Sequence, residues 1–237
     1  MKIFAHRGVS GHFPENTLPA FSAALKTGCH GIELDVFLHN NELVVIHDRQ
    51  VDRTTNGNGL LDDFTPAALF QLDAGNGQPI PTLWQVLQLC ANRLEINIEL
   101  KGHDTAPALV AMLRRAQSEL GLRLNSVLVS SFHHPLLRQL KALLPEIRIG
   151  VLIAHYPIDG VQLALQLGAV SLHCDRGFID KTLVEQAHQA GIELYVYTVN
   201  QQRELLALAD MGVDGVFCNF PAQALRWLNT SAEKIQD

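Results

Sequence analysis

A chain of 237 residues that is 47% hydrophobic and 18% charged carries enough apolar mass for a large buried core, which excludes intrinsic disorder. A formal net charge of -6 offers no long-range attraction to nucleic acid or to an anionic membrane surface, so an anionic substrate has to be drawn in by a local positive feature. No stretch approaches the roughly 18 consecutive apolar residues of a membrane span.

The chain opens Met1-Lys2-Ile3-Phe4-Ala5-His6, without the basic and then apolar pattern of a removable leader. Ile3 to His6 reads as a first strand, followed by a helix from about Asn16 to Thr27. Ile32 to Val36 is a second strand and Glu95 to Lys101 a third, the latter preceded by a helix from near Thr82 and followed by one from Asp104 towards Leu120. Further strands are expected at Ser126 to Ser131, Arg148 to Ile153, Ala169 to Cys174, Glu193 to Val199 and Gly215 to Cys218. Helices are expected from near His134, Pro157, Asp180, Gln201 and Pro221. Eight strand-then-helix units in this length predict a parallel, closed TIM-type (β/α)8 barrel, with a doubly wound open sheet as the alternative.

The rhythm breaks at about residues 43 to 81. An extra strand-like run, Leu43-Val44-Val45-Ile46, leads into Asn-Gly turn formers at Asn56-Gly57 and Asn58-Gly59 and then a short amphipathic piece near Pro66 to Leu72. The reading is one barrel domain over 1 to 237 with a small insertion after the second strand. The four cysteines, Cys29, Cys90, Cys174 and Cys218, show neither C-x-x-C nor zinc spacing, as expected of free thiols in a cytoplasmic protein.

Barrel enzymes place reacting groups at the carboxyl ends of strands, and the polar residues cluster there. Glu33 and Asp35 alternate with Ile32, Leu34 and Val36, while Glu99 and Lys101 alternate with Ile96, Ile98 and Leu100. The apolar set has to meet the helices, which sends the acids to the axis. Three carboxylates at one mouth call for a counter-charge. A hard divalent cation, magnesium or calcium, suits an all-oxygen set, and ion pairing with Arg7 and Lys101 is the rival account. Beside a metal those two bases can also hold the non-bridging oxygens of a phosphate. His6 and His47 converge on the cluster as an acid-base pair for phosphodiester cleavage; of the other histidines, His103 and His173 are placed to line the mouth.

The pattern resembles the glycerophosphodiester phosphodiesterases, most closely their small bacterial cytosolic members. The resemblance runs in order through His6-Arg7-Gly8, Pro14-Glu15-Asn16-Thr17, Gly31-Ile32-Glu33-Leu34-Asp35-Val36, Val44-Val45-Ile46-His47-Asp48 and Arg53-Thr54-Thr55-Asn56-Gly57. It continues through Asn97-Ile98-Glu99-Leu100-Lys101, Val196-Tyr197-Thr198-Val199-Asn200 and Gly212-Val213-Asp214-Gly215-Val216, so it spans nearly the whole chain. It implies a barrel in which Glu33, Asp35 and Glu99 hold one Mg2+ or Ca2+, His6 and His47 are the acid and base, and Arg7 and Lys101 bind phosphate. It also implies a small-molecule glycerophosphodiester substrate, such as glycerophosphocholine or glycerophosphoethanolamine, cleaved through a cyclic phosphate to glycerol 3-phosphate and an alcohol.

Two positions depart from the family pattern. Tyr197 stands where an aromatic, often Trp, packs on the glycerol carbons, and its hydroxyl is expected to add polarity. Cys218-Asn219-Phe220-Pro221 replaces a segment that usually carries Thr-Asp, removing an acid from the barrel mouth but none of the proposed ligands. Two competing readings remain at this level: a lysophospholipase D-like or phosphoinositide phospholipase C-like enzyme, and a catalytically silent barrel that binds a phosphorylated ligand. The first needs an apolar ridge for an acyl chain, for which Phe13, Leu60, Leu61 and Phe64 are the candidates, with an insertion core as the plainer use of them.

Overall fold

The structure, a computed structural model, describes residues 1–156 and 158–233. Its strands are β1 (Lys2–His6), β2 (Gly31–His39), β3 (Glu42–Val45), β4 (Glu95–Leu100), β5 (Val127–Ser131), β6 (Arg148–Ile153), β7 (Ser171–Asp175), β8 (Glu193–Tyr197) and β9 (Gly215–Cys218). Eight of them pair in parallel, β2 meeting both β1 and β4, and the β1–β9 pairing closes the ring. Helices follow the strands around the outside, which makes the fold a TIM-type (β/α)8 barrel.

The alternation in sequence decides what faces where. Ile32, Leu34 and Val36 of β2 and Ile96, Ile98 and Leu100 of β4 are buried in the layer between strands and helices. Their neighbours point to the axis. There Phe4, Tyr195 and Phe217 with Leu128 form an apolar plug, with Phe4 and Phe217 ring centroids 5.3 Å apart. At the amino ends of the strands Lys2 and Arg148 each bridge both Glu95 and Glu193, at 3.4 to 3.7 Å. With the lower barrel filled, the carboxyl end is the face left open for chemistry.

Several boundaries differ from the sequence expectation for local reasons. β2 runs on to His39 and pairs antiparallel with β3 through a two-residue turn at Asn40 and Asn41, both at positive φ (46° and 66°). Asparagine tolerates that conformation, which matches the twist of a hairpin. The first helix starts at Leu18, not Asn16, because Asn16 is left-handed at φ 58° and Thr17 is extended. β8 ends at Tyr197, two residues early. A helix start near Pro157 lies outside the described residues, and the described helix there spans Gly160–Leu167.

Between β3 and the helix Leu83–Cys90, the chain builds a small core of Val44, Ile46, Val51, Leu61, Leu69, Ala74 and Ile80. Leu61 is buried in that core and Phe64 packs against it, so of the four ridge candidates only Phe13 and Leu60 are exposed.

Candidate active site

The site begins with a turn that only glycine permits. After β1, Arg7 and Gly8 both adopt positive φ, 54° and 78°. A Cβ on Gly8 would lie 2.7 Å from the Ala20 carbonyl carbon, inside any normal contact. The reversal aims the Arg7 backbone N–H at Glu33 Oε2 (2.9 Å) and its guanidinium at Glu15 Oε1 (2.8 Å). Gly8→Ala is therefore expected to cost at least about 2 kcal/mol, from left-handed strain plus a backbone clash. A denaturant midpoint unchanged from wild type would contradict this.

Parallel pairing of β2 with β4 sets Asp35 beside Glu99 and Glu33 beside Asn97. Glu33, Asp35 and Glu99 are all buried, and one oxygen of each lies within 4.8 Å of the others. Burial, then Asp35 and Glu99, hold the Glu33 carboxyl well above its usual range. Burial, then Asp35, push Glu99 up to about 7 despite Lys101. Lys101 Nζ sits 2.8 Å from Glu99 Oε1 and 3.6 Å from Asp35 Oδ1, while Arg7 Nε is 3.4 Å from Asp35 Oδ2. Asn16 Nδ2 donates to Asp35 Oδ2 at 2.9 Å, yet buried Asp35 Oδ1 finds no hydrogen-bond partner among the described residues. Two strained acids and a bare carboxylate oxygen, all hard donors, fit a magnesium- or calcium-type ion better than they fit ion pairing alone.

Both candidate histidines border this cluster. His6 Nε2 lies 3.9 Å from Glu33 Oε2, and burial followed by Arg7 pulls the ring down to about 4, so it is neutral at physiological pH. His47 Nε2 is 3.2 Å from Lys101 Nζ, and burial lowers its pKa against the pull of Asp35. Asp48 Oδ1 accepts from His47 Nδ1 at 2.6 Å, and Asp48 Oδ2 accepts from Arg53 Nε. Arg53 donates twice to Glu15, which holds Arg7. A continuous chain of charge-assisted bonds thus links His47 to Arg7.

His6, Arg7, Glu33, His47, Glu99, Lys101 and Tyr197 all line one cavity of about 390 Å³ at the carboxyl end of the barrel. Asp35, buried beside Glu99 in the sheet, is not part of that lining. The Tyr197 hydroxyl donates to the Ile153 carbonyl at 2.7 Å, so the expected polarity is turned away and a ring is what the site receives. Phe132 meets that ring edge-on at 5.9 Å. His173 is on the cavity floor, fully buried, stacked on Tyr195 and pushed down to about 3 by burial, hence neutral. His103 pairs with His133 (3.2 Å) beside a neighbouring groove instead.

Sequence reasoning gave no role to Glu15, Asn16, Asp48, Arg53 or Asn219, although each orients a site residue. The first four lie on loops, where no periodicity says which way a side chain points. Their signal was the density of hydrogen-bonding residues immediately beyond strands β1 and β3.

The Glycerophosphoryl diester phosphodiesterase family matches residues 6–223. A glycerophosphodiester phosphodiesterase of Caldanaerobacter subterraneus subsp. tengcongensis is 38% identical over 92% of this chain and 94% of its own. One from Bacillus altitudinis is 36% identical over 95% and 97%. Among solved structures, an Oleispira antarctica phosphodiesterase in complex with the product sn-glycerol-3-phosphate superposes with a TM-score of 0.88, at 30% identity over 97% of both chains.

Proposed function

This chain belongs to the glycerophosphoryl diester phosphodiesterase family of hydrolases, and from that premise we propose that it hydrolyses small glycerophosphodiesters, such as glycerophosphocholine or glycerophosphoethanolamine, to glycerol 3-phosphate and an alcohol. The observation that carries this reading is the buried trio of Glu33, Asp35 and Glu99, with Glu33, Glu99, Arg7, Lys101 and two histidines lining one cavity. The product bound by the Oleispira antarctica relative supports the same substrate class.

Glu33, Asp35 and Glu99 would hold one Mg2+ or Ca2+, which supplies positive charge beside the phosphoryl oxygens. Arg7 and Lys101 neutralise the non-bridging oxygens as charge builds on them. One of His6 and His47 takes the proton of the glycerol hydroxyl next to the diester as that oxygen attacks phosphorus; the other protonates the departing alcohol. The cyclic phosphate so formed is opened by water with the two roles exchanged, giving glycerol 3-phosphate. The Tyr197 ring packs on the glycerol carbons. The whole chain acts as one barrel domain in the cytoplasm, in keeping with its four buried free thiols. A lysophospholipase D-like or phospholipase C-like activity is the weaker reading, because Leu61 and Phe64 belong to the insertion core and are not on a lipid-facing ridge.

The test is release of glycerol 3-phosphate from a panel of glycerophosphodiesters with Mg2+ or Ca2+, and its loss in EDTA. No product from any of them with either ion would overturn the proposal. In the same assay His6→Ala is expected to lose about 10²- to 10⁴-fold in rate. Its thermal midpoint should still rise on adding the metal. Retained activity would remove His6 from the acid-base pair.

A further inference from the structure

We propose that Asn219 is a positioning residue for His6, fixing the ring as the tautomer protonated at Nδ1 so that Nε2 turns a bare lone pair to the cavity. Asn219 immediately follows β9, and its Oδ1 lies 2.9 Å from His6 Nδ1. An amide oxygen only accepts, so it selects the ring form that carries hydrogen on the facing nitrogen. At the other end of the ring, Nε2 is 3.9 Å from Glu33 Oε2, beyond hydrogen-bond range, and is not tied to it.

The backbone that carries the carboxamide is held in place from two sides. The Asn219 backbone N–H donates to Asn200 Oδ1 at 2.8 Å, and its carbonyl accepts from the Gly11 N–H at 3.0 Å. Phe220, the next residue, meets the His12 ring edge-on at 5.3 Å. Loops after β1, β8 and β9 therefore converge on this one residue. The amide also directs a proton without adding charge, whereas an acid in its place would set a fourth carboxylate beside Glu33, Asp35 and Glu99. Only the kinetic consequence of this proposal rests on the function proposed above; the tautomer does not.

Long-range proton–nitrogen correlation spectra of the full chain, uniformly labelled with ¹⁵N and recorded at neutral pH, test it directly. In the wild type His6 Nδ1 should show the shift of a protonated nitrogen and Nε2 that of a bare one. Asn219→Ala should move His6 towards the Nε2–H form that a free imidazole favours, and Asn219→Asp should keep Nδ1 protonated. On glycerophosphocholine, kcat is expected to fall by about 10- to 100-fold in Asn219→Ala with KM within about twofold, since the residue touches the ring and not the substrate. Asn219→Asp should recover most of that loss. A wild-type spectrum with hydrogen on Nε2 overturns the proposal, as does an Asn219→Asp enzyme as impaired as Asn219→Ala. Should Asn219→Ala not fold, the wild-type spectrum and Asn219→Asp still decide. If the protein cleaves no glycerophosphodiester, the proposed function falls while the spectra still answer for the tautomer.

Discussion

Glu99→Gln is expected to abolish metal-dependent turnover, by on the order of 10³-fold, while leaving the barrel folded. The substitution keeps the shape of the side chain and an oxygen able to accept from Lys101, which now donates to Glu99 Oε1 at 2.8 Å. What it removes is one of three carboxylates gathered within 4.8 Å. A divalent cation has no reason to enter a buried site once that carboxylate is lost, whereas the metal-free protein gives up little, because Glu99 is already pushed up to about 7. The metal-free midpoint should therefore not fall, and the loss should appear in its response to metal. Wild type should gain about 2.7 kcal/mol at a metal concentration 100-fold above Kd, and the variant far less. A variant with wild-type rates, or one stabilised by metal as much as wild type, would show that Glu99 is not a ligand.

The path from sequence to site was open where the chain is periodic and closed where it is not. Glu33, Asp35 and Glu99 could be aimed at a common centre because a strand alternates its faces and Ile32, Leu34, Ile96 and Ile98 had to meet the helices. The barrel itself followed from eight repeats of strand and helix. Nothing comparable governs the loops. The left-handed turn at Arg7 and Gly8 sends a backbone N–H to Glu33, and the left-handed Asn16 sends an amide to Asp35; both depend on single φ values that a pattern does not encode. Tyr197 lines the cavity, but the direction of its hydroxyl is not legible in the sequence, since its partner is a carbonyl 44 positions away on β6. The Asn40–Asn41 hairpin was a local signal passed over, because the apolar run of β2 was ended at Val36.

Metal affinity is expected to fall steeply as pH drops below about 7, with protons released on binding. Burial and Asp35 push Glu99 up to about 7 from the 4.5 of an ordinary glutamate, and Glu33 is raised as well. A raised carboxylate means that the folded protein holds more protons than the unfolded chain over that window. Its contribution to metal-free stability is therefore full below 4.5 and is lost as pH rises through about 7. His6, pulled down to about 4, works in the opposite sense, so the wild-type melting profile mixes the two and only the difference from Glu99→Gln isolates the acid. A cation, by contrast, competes with the proton directly for the same oxygens. Each proton displaced costs about 1.4 kcal/mol per pH unit, or roughly tenfold in Kd. Calcium titration calorimetry in two buffers of different ionisation enthalpy should show more proton release at about pH 6 than at about pH 8. Glu99→Gln should shrink both the binding and the release. A binding constant flat across that range would mean that Glu99 does not hold the ion and that its raised pKa reflects burial beside Asp35 and nothing more.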